Sequence, residues 1–108
     1  MALIAKKLAQ TALSDTASAI VTPATGSKVY VTSFRLINTG SVDRKVTLYA
    51  HGNTTNNTVL IATIKAQGAY IETKNEAQIV LDGDTDILYA KQDAGADVIF
   101  TLYGTEEV

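Results

Sequence analysis

The chain reads as an all-β protein, an antiparallel β-sandwich of jelly-roll type with about eight strands. Three observations lead there. Apolar and β-branched segments recur every ~10–15 residues with Gly, Asn or Asp turn signals between them. No helix-period segment intervenes after residue 18. Apolar residues make up 46% of the 108 residues, yet there is no Trp and aromatics are only 6%. Val, Ile, Leu, Ala and Thr carry the core, and β-branched side chains suit a pleated sheet.

The N-terminal stretch is the least determined element. Leu3, Ile4, Lys7, Leu8, Thr11 and Ala12 fit a short helix. The same residues fit an extended arm or edge strand over 1–13, which is the reading adopted, with a single sandwich domain over 14–108. Ala19-Ile20-Val21-Thr22 follows as a strand, stopped by Pro23, the only proline.

Residues 28–39 form the clearest strand. Strict alternation puts Tyr30, Thr32, Phe34 and Leu36 on one face. Val29, Val31, Ser33, Arg35 and Ile37 fall on the other. Asn38-Thr39-Gly40-Ser41 is a turn signal, so the strand from Val42 to His51 is expected to pair back as a hairpin. In that strand Val42, Val46, Leu48 and Ala50 share one side, and Asp43, Lys45, Thr47, Tyr49 and His51 the other.

Gly52 to Thr58 is a polar loop. Val59 to Ile64, Ala69 to Thr73, Ala77 to Leu81, Asp86 to Ala90 and Asp97 to Tyr103 complete the set. Lys65 to Gly68, Lys74-Asn75-Glu76, Asp82 to Thr85 and Gln92 to Ala96 separate them. The expected core includes Phe34, Leu48, Ile61, Ile79, Leu88 and Phe100.

Composition excludes several classes of function. With no Cys there is no disulfide, thiolate nucleophile or zinc–thiolate site. His51 is the sole histidine, so the nitrogen ligands of a zinc centre cannot be assembled within one chain. Asp82, Asp84 and Asp86 alternate like the start of a calcium loop. The Gly sits at the second position instead of the sixth, and Asp93 stands where the closing Glu belongs. A hairpin turn accounts for them better. No metal or other cofactor is expected.

Asn53-Thr54-Thr55 and Asn56-Asn57-Thr58 are formal glycosylation sequons in what reads as an ordinary polar loop. Net charge is −2, and Lys6, Lys7, Arg35, Arg44 and Lys45 form no dense basic patch, so nucleic acid is not an expected partner. No apolar run approaches the ~20 residues of a membrane-spanning helix. Lysines follow the first apolar residues instead of preceding a long apolar region, unlike a signal peptide. No nucleophile–base or paired-carboxylate constellation can be built, so an enzyme is not expected.

Three segments are apolar on both faces: Val29-Tyr30-Val31, Val59 to Ile64 and Val98 to Tyr103. A two-layer sandwich should alternate, because one face of each sheet meets water. Surplus apolar surface marks an interface. Leu3, Ile4, Leu8, Val29, Val31 and Tyr49 are the candidate contact residues.

The phrases Thr22-Pro23, Val29-Tyr30-Val31-Thr32-Ser33, Leu81-Asp82-Gly83-Asp84 running into Ile87-Leu88-Tyr89-Ala90, and the ending Gly104-Thr105-Glu106 together resemble small β-sandwich structural proteins of tailed-bacteriophage virions, of decoration, head-fibre or tail type. The resemblance runs from about Leu8 to Glu106, and its motifs are short and carry no catalytic signature. The chain departs from the pattern in the longer turn Ala24-Thr25-Gly26 and in the charge of Asp86. The resemblance implies a virion location and a non-enzymatic role, foremost as a capsid decoration or cement protein. Partners would be a major capsid protein or tail and adaptor proteins, with self-association as a trimer or ring. A tail, head–tail or fibre-base component is the runner-up.

A glycan- or host-surface-binding jelly roll is the reading from a second class. The two differ in surface. A glycan site needs an aromatic-lined hollow at a loop end, built here from Tyr49, Tyr70, Tyr89 or Tyr103. A cement protein needs flat apolar patches on its sides.

Overall fold

The computed structural model describes residues 3–50, 58–72, 79–83 and 86–107. His51, the Asn53-Thr54-Thr55 sequon, Asn56 and Asn57 of the second sequon, the Lys74-Asn75-Glu76 turn and Asp84 lie outside them. Among the described residues nine strands run in the order β1 (Leu3–Ala12), β2 (Ser18–Val21), β3 (Lys28–Asn38), β4 (Arg44–Tyr49), β5 (Thr58–Ile64), β6 (Ala69–Glu72), β7 (Ile79–Asp82), β8 (Leu88–Gln92) and β9 (Val98–Glu107). Among the described residues there is no helix. The N-terminal stretch, compatible with helix or extended chain by its sequence, is a ten-residue strand antiparallel to the C-terminal β9.

One sheet has the order β1-β9-β3-β6, with β7 also on β3; the other has the order β2-β8-β4-β5. All pairings are antiparallel. β6 and β7 lie end to end along one edge of β3: Ile37 to Phe34 pair with Ala69 to Glu72, and Val31 to Lys28 with Ile79 to Asp82. Together they fill one strand position in the sheet. Counted so, the sheets read 1-8-3-6 and 2-7-4-5, the order of an eight-stranded jelly roll.

This topology corrects the expected hairpin of β3 and β4. Both edges of β3 are occupied, by β9 on one side and by β6 and β7 on the other. β4 therefore has no edge to join and goes to the second sheet. The corner between them is held by Asn38, which is fully buried. Its Nδ2 donates to the carbonyls of Val42 (2.7 Å) and Ile64 (3.1 Å), and its Oδ1 accepts from Gly40 N (2.9 Å). Such an Asx turn satisfies the backbone locally where the ladder stops. The turn signal is real; it bends the chain between sheets instead of within one.

A second correction concerns the faces of β3. Val31 pairs with Gly104 and Ser33 with Tyr103, so Thr32 is an extra residue. Its Oγ1 donates to the Tyr103 carbonyl at 3.3 Å. A bulge flips the alternation. Val29 and Val31 point inward before it, and Phe34, Leu36 and Asn38 after it. The strand that looked apolar on both faces is thus apolar on one. β1 bulges beside the same Tyr103: Lys7 pairs with Tyr103 and Ala9 with Leu102, leaving Leu8 extra.

A third correction is Ile61. It was expected in the core and is 60% exposed. Leu60 opposes Leu48, and Ala62 opposes Val46, both inward residues of β4. Those pairs turn Ile61 outward. The other expected core residues, Phe34, Leu48, Ile79, Leu88 and Phe100, are buried. Phe34 meets Phe100 edge-on at 5.7 Å and stacks on Tyr70 at 6.1 Å.

The loops that close the sandwich are specific. Ser27 N donates to Ala24 O (3.0 Å), with Gly26 at φ +80°, a type II turn that explains the longer Ala24-Thr25-Gly26 stretch. The acidic turn packs against it, with Gly83 N donating to Ser27 O at 2.8 Å. A Cβ at Gly83 would collide with the Ala24 carbonyl. Buried Gln92 accepts from Val98 N (2.9 Å) and donates to Ala94 O, holding the turn into β9.

Candidate docking surfaces

The candidate contact residues divide in the folded chain. Leu3 lies at the free end of β1, with its backbone opposite Glu107. Ile4 is 47% exposed. Leu8 is half-buried and packs on the core. Val29 and Val31 are 1% and 4% exposed and belong to the core. The Thr32 bulge turned them inward, so they offer a partner nothing. Tyr49 is also buried, on the outward row of β4 opposite Tyr89.

The exposed large apolar side chains are largely others: Val42, Val59, Ile61, Ile71, Val80 and Tyr103 join Ile4. Sequence reasoning missed Ile61, Ile71 and Val80. Their signal was parity, and parity in a short or wholly apolar strand is legible only from its cross-strand partners.

Register assigns these residues to faces. On the outer face of the first sheet, Ile37 and Ile99 pair in one row, and Ile71, Arg35 and Thr101 in the next. Tyr103 with Lys7 and Ser33 follows, then Val80 with Tyr30 and Thr105. The molecule measures 45 × 25 × 19 Å, so these faces are the broad sides of a slab. Arg35 stands near the centre of this one. Its Nε is buried and has no hydrogen-bond partner. The carboxylates on the same face, Glu107 and Asp82, flank Lys28 at the far end. Three two-residue rows separate them from Arg35, about 20 Å at strand rise.

On the outer face of the second sheet, β5 presents Val59 and Ile61 at the margin. A shallow hollow beside them is lined by Lys45, Thr47, Tyr49, Thr58, Ile61, Lys91 and Asp93. Its one aromatic ring, Tyr49, is buried. A second hollow, between β1 and β2, has no aromatic lining. Tyr70 is taken up by its stack on Phe34.

Several other charged residues serve the fold. Arg44 donates through Nε and Nη2 to Asp97 Oδ2 at 3.3 and 3.2 Å, tying β4 to the entry of β9. Lys6 pairs with Glu106 at 3.3 Å, across β1 and β9. Asp43 accepts from Ala66 N at 2.9 Å and pairs with Lys65 at 3.4 Å. The backbone hydrogen bond, aided by Lys65, holds its carboxyl below the usual carboxylate range. Asp82 and Asp86 close the acidic turn on each other: Asp82 N donates to Asp86 Oδ2 (3.0 Å) and Asp86 N to Asp82 O (2.9 Å). Among the described residues no cluster of three potential metal-ligating side chains occurs.

No protein-family model matches the chain, and no curated protein matches it.

Proposed function

We propose that this protein is a non-enzymatic structural component of a tailed-phage virion, a capsid decoration or cement protein that stabilises the shell through many weak contacts. The observation that carries the reading is the placement of exposed aliphatic side chains on the flat sides of the slab, while the two hollows among the described residues hold no aromatic ring but the buried Tyr49. That surface favours docking between neighbours over capture of a sugar. The phage-like phrases in the sequence support the same reading. Thr22-Pro23 leads through a type II turn into β3, and the Gly-Asp turn packs on that turn. Weak contacts suffice in a symmetric shell, because repeated copies gain by avidity.

The test is to purify the particles encoded alongside this chain and examine them by mass spectrometry and electron microscopy. The reading expects many copies per particle, seated on the outside of the shell between capsid subunits. Particles that lack the chain, or carry it only at the tail, overturn it.

A further inference from the structure

We propose that the free edge of β5 is a self-recognition site. Two copies of this chain pair β5 with β5, antiparallel about a two-fold axis at Ile61, and join their four-stranded sheets into one of eight strands. This inference does not rest on the virion assignment.

A sandwich has open sheet edges, and each is a template for another strand unless something blunts it. Here the edges are β1, β2, β5, and β6 with β7. β1 carries Lys6 and Lys7 at its centre. Charged side chains on an edge strand, lysine above all, are a device against pairing. β2 is only four residues, and the edge formed by β6 and β7 is broken into two four-residue pieces that end in Glu72 and Asp82. β5 bulges at Val59, where Leu48 pairs with Leu60 and Tyr49 with Thr58, but it keeps a regular stretch from Leu60 to Ile64 and carries no charge on its edge. Its seven residues, Thr-Val-Leu-Ile-Ala-Thr-Ile, contain no charge, no Pro and no Gly. Among the described residues no strand pairs with its outer edge.

The occupant follows from the pattern of β5 itself. An axis at Ile61, the middle residue, overlaps all seven positions. It sets Thr58 against Ile64, Val59 against Thr63, Leu60 against Ala62, and Ile61 against itself. No charge meets a like charge, and on the inward face large Leu60 meets small Ala62. Both are only half-buried in the single chain, so the core is open at this edge. On the outward face Val59, Ile61 and Thr63 of each copy form one continuous row. The two copies of Lys65 fall at opposite ends of the joint. A C2 interface of this sort uses the same patch on both subunits, which a self-complementary strand supplies.

The chain has no Cys, which allows a direct test on the full-length protein. Residues opposite each other in an antiparallel pair have Cα atoms about 4.5–5.5 Å apart, within reach of a disulfide. Ile61→Cys is expected to cross-link into a dimer under mild oxidation, much faster than Ile71→Cys. Ile71 is 59% exposed, matching Ile61, but lies on the other sheet. In sedimentation the unmodified chain is expected to dimerise with concentration, and Ile61→Lys to weaken the dimer by about ten-fold or more. Ile61 is exposed, so both variants keep the fold, which circular dichroism checks. A chain that stays monomeric at every concentration overturns the proposal. So does an Ile61→Cys variant that cross-links no faster than Ile71→Cys, or a dimer that Ile61→Lys leaves intact.

Discussion

Gly104 lies against the carbonyl oxygen of Tyr30 on the neighbouring strand, with no space between them for a side chain's first carbon. The approach is possible because β3 bulges at Thr32, directly beside this pair, and the Leu8 side chain fills the other flank. Gly104→Ala therefore must push apart β3 and β9, the central strands of the first sheet. The expected loss is about 1–3 kcal/mol, the usual cost of overpacking. Urea unfolding monitored by circular dichroism measures it. A change below about 0.5 kcal/mol, the ordinary range for a neutral surface site, would mean that the strands part easily.

Phe34 and Ile61 make a matched pair of opposite expectation. Phe34 sits between Phe100 and Tyr70, so Phe34→Ala should cost about 3–5 kcal/mol. Ile61 faces outward, so Ile61→Ala should change monomer stability by no more than about 0.5 kcal/mol. Thermal melts of the two variants, at concentrations too low for association, decide whether the inward and outward rows are as described.

The strand count and the layer architecture were legible because turn residues punctuate the chain and no helix period interrupts it. The turn at Gly83 and the Pro23 stop follow from the same signals. Pairing was not legible at Asn38. A Gly-containing turn looks the same whether it folds a hairpin or carries the chain across to the second sheet, and only occupation of both edges of β3 decides. Facing was not legible where Thr32 bulges, since one unpaired residue inverts every side chain beyond it. Val59 to Ile64 offered no alternation at all, so only Leu48 opposite Leu60 fixes its parity. The docking residues inherit these errors. Val29 and Val31 moved inward, Ile61 moved outward, and Ile71 was never marked.

Deletion of residues 2–12 removes a strand that pairs with β9 along its length and whose Leu8 and Ala9 pack on the core. Burial of one large aliphatic side chain is worth roughly 1.5–3 kcal/mol, against a total of about 5–15 kcal/mol for a small domain. The truncated chain is expected to melt at a much lower temperature, or to aggregate through the uncovered edge of β9. A truncated chain that melts like the full protein would instead leave residues 2–12 free to act on a partner.

Asp43 links stability to acid. Its carboxyl is held below the ordinary value of 3.8, chiefly by the hydrogen bond from Ala66 N and further by Lys65. A depressed folded pKa stabilises the protein above the unfolded value, and that contribution is lost as pH falls through the folded value. Asp43→Asn should therefore be the less stable chain at neutral pH, with the difference vanishing below the ordinary carboxylate pKa. Because the backbone bond dominates, added salt should reduce the difference only in part, through Lys65. Denaturant midpoints across pH at two salt concentrations test both statements. A difference that grows as pH falls would reverse the assignment.

Arg35 is the one described residue with a buried side-chain polar atom that lacks a partner. Leaving such a group unsatisfied costs about 1–3 kcal/mol, whereas an apolar side chain of similar length can be neutral or stabilising. Ile71 and Thr101 flank it in its row, and Ile37 and Ile99 pair in the next. Arg35→Met keeps the stem that packs among them and removes the unpaired Nε. The isolated chain is expected to be as stable or more so, by up to about 1 kcal/mol, in a thermal or denaturant melt. A loss larger than that would show that Arg35 is satisfied within the chain. Under the docking reading the same substitution carries a second consequence. An incoming carboxylate, set among apolar neighbours, would supply the missing acceptor, and desolvated arginines at the centre of a patch are where binding energy concentrates. Arg35→Met should then lower the number of copies retained on purified particles while leaving the free protein intact. Full retention of a stabilised variant would mean that this face of the sheet does no docking, and that the exposed residues of β5 carry the contacts.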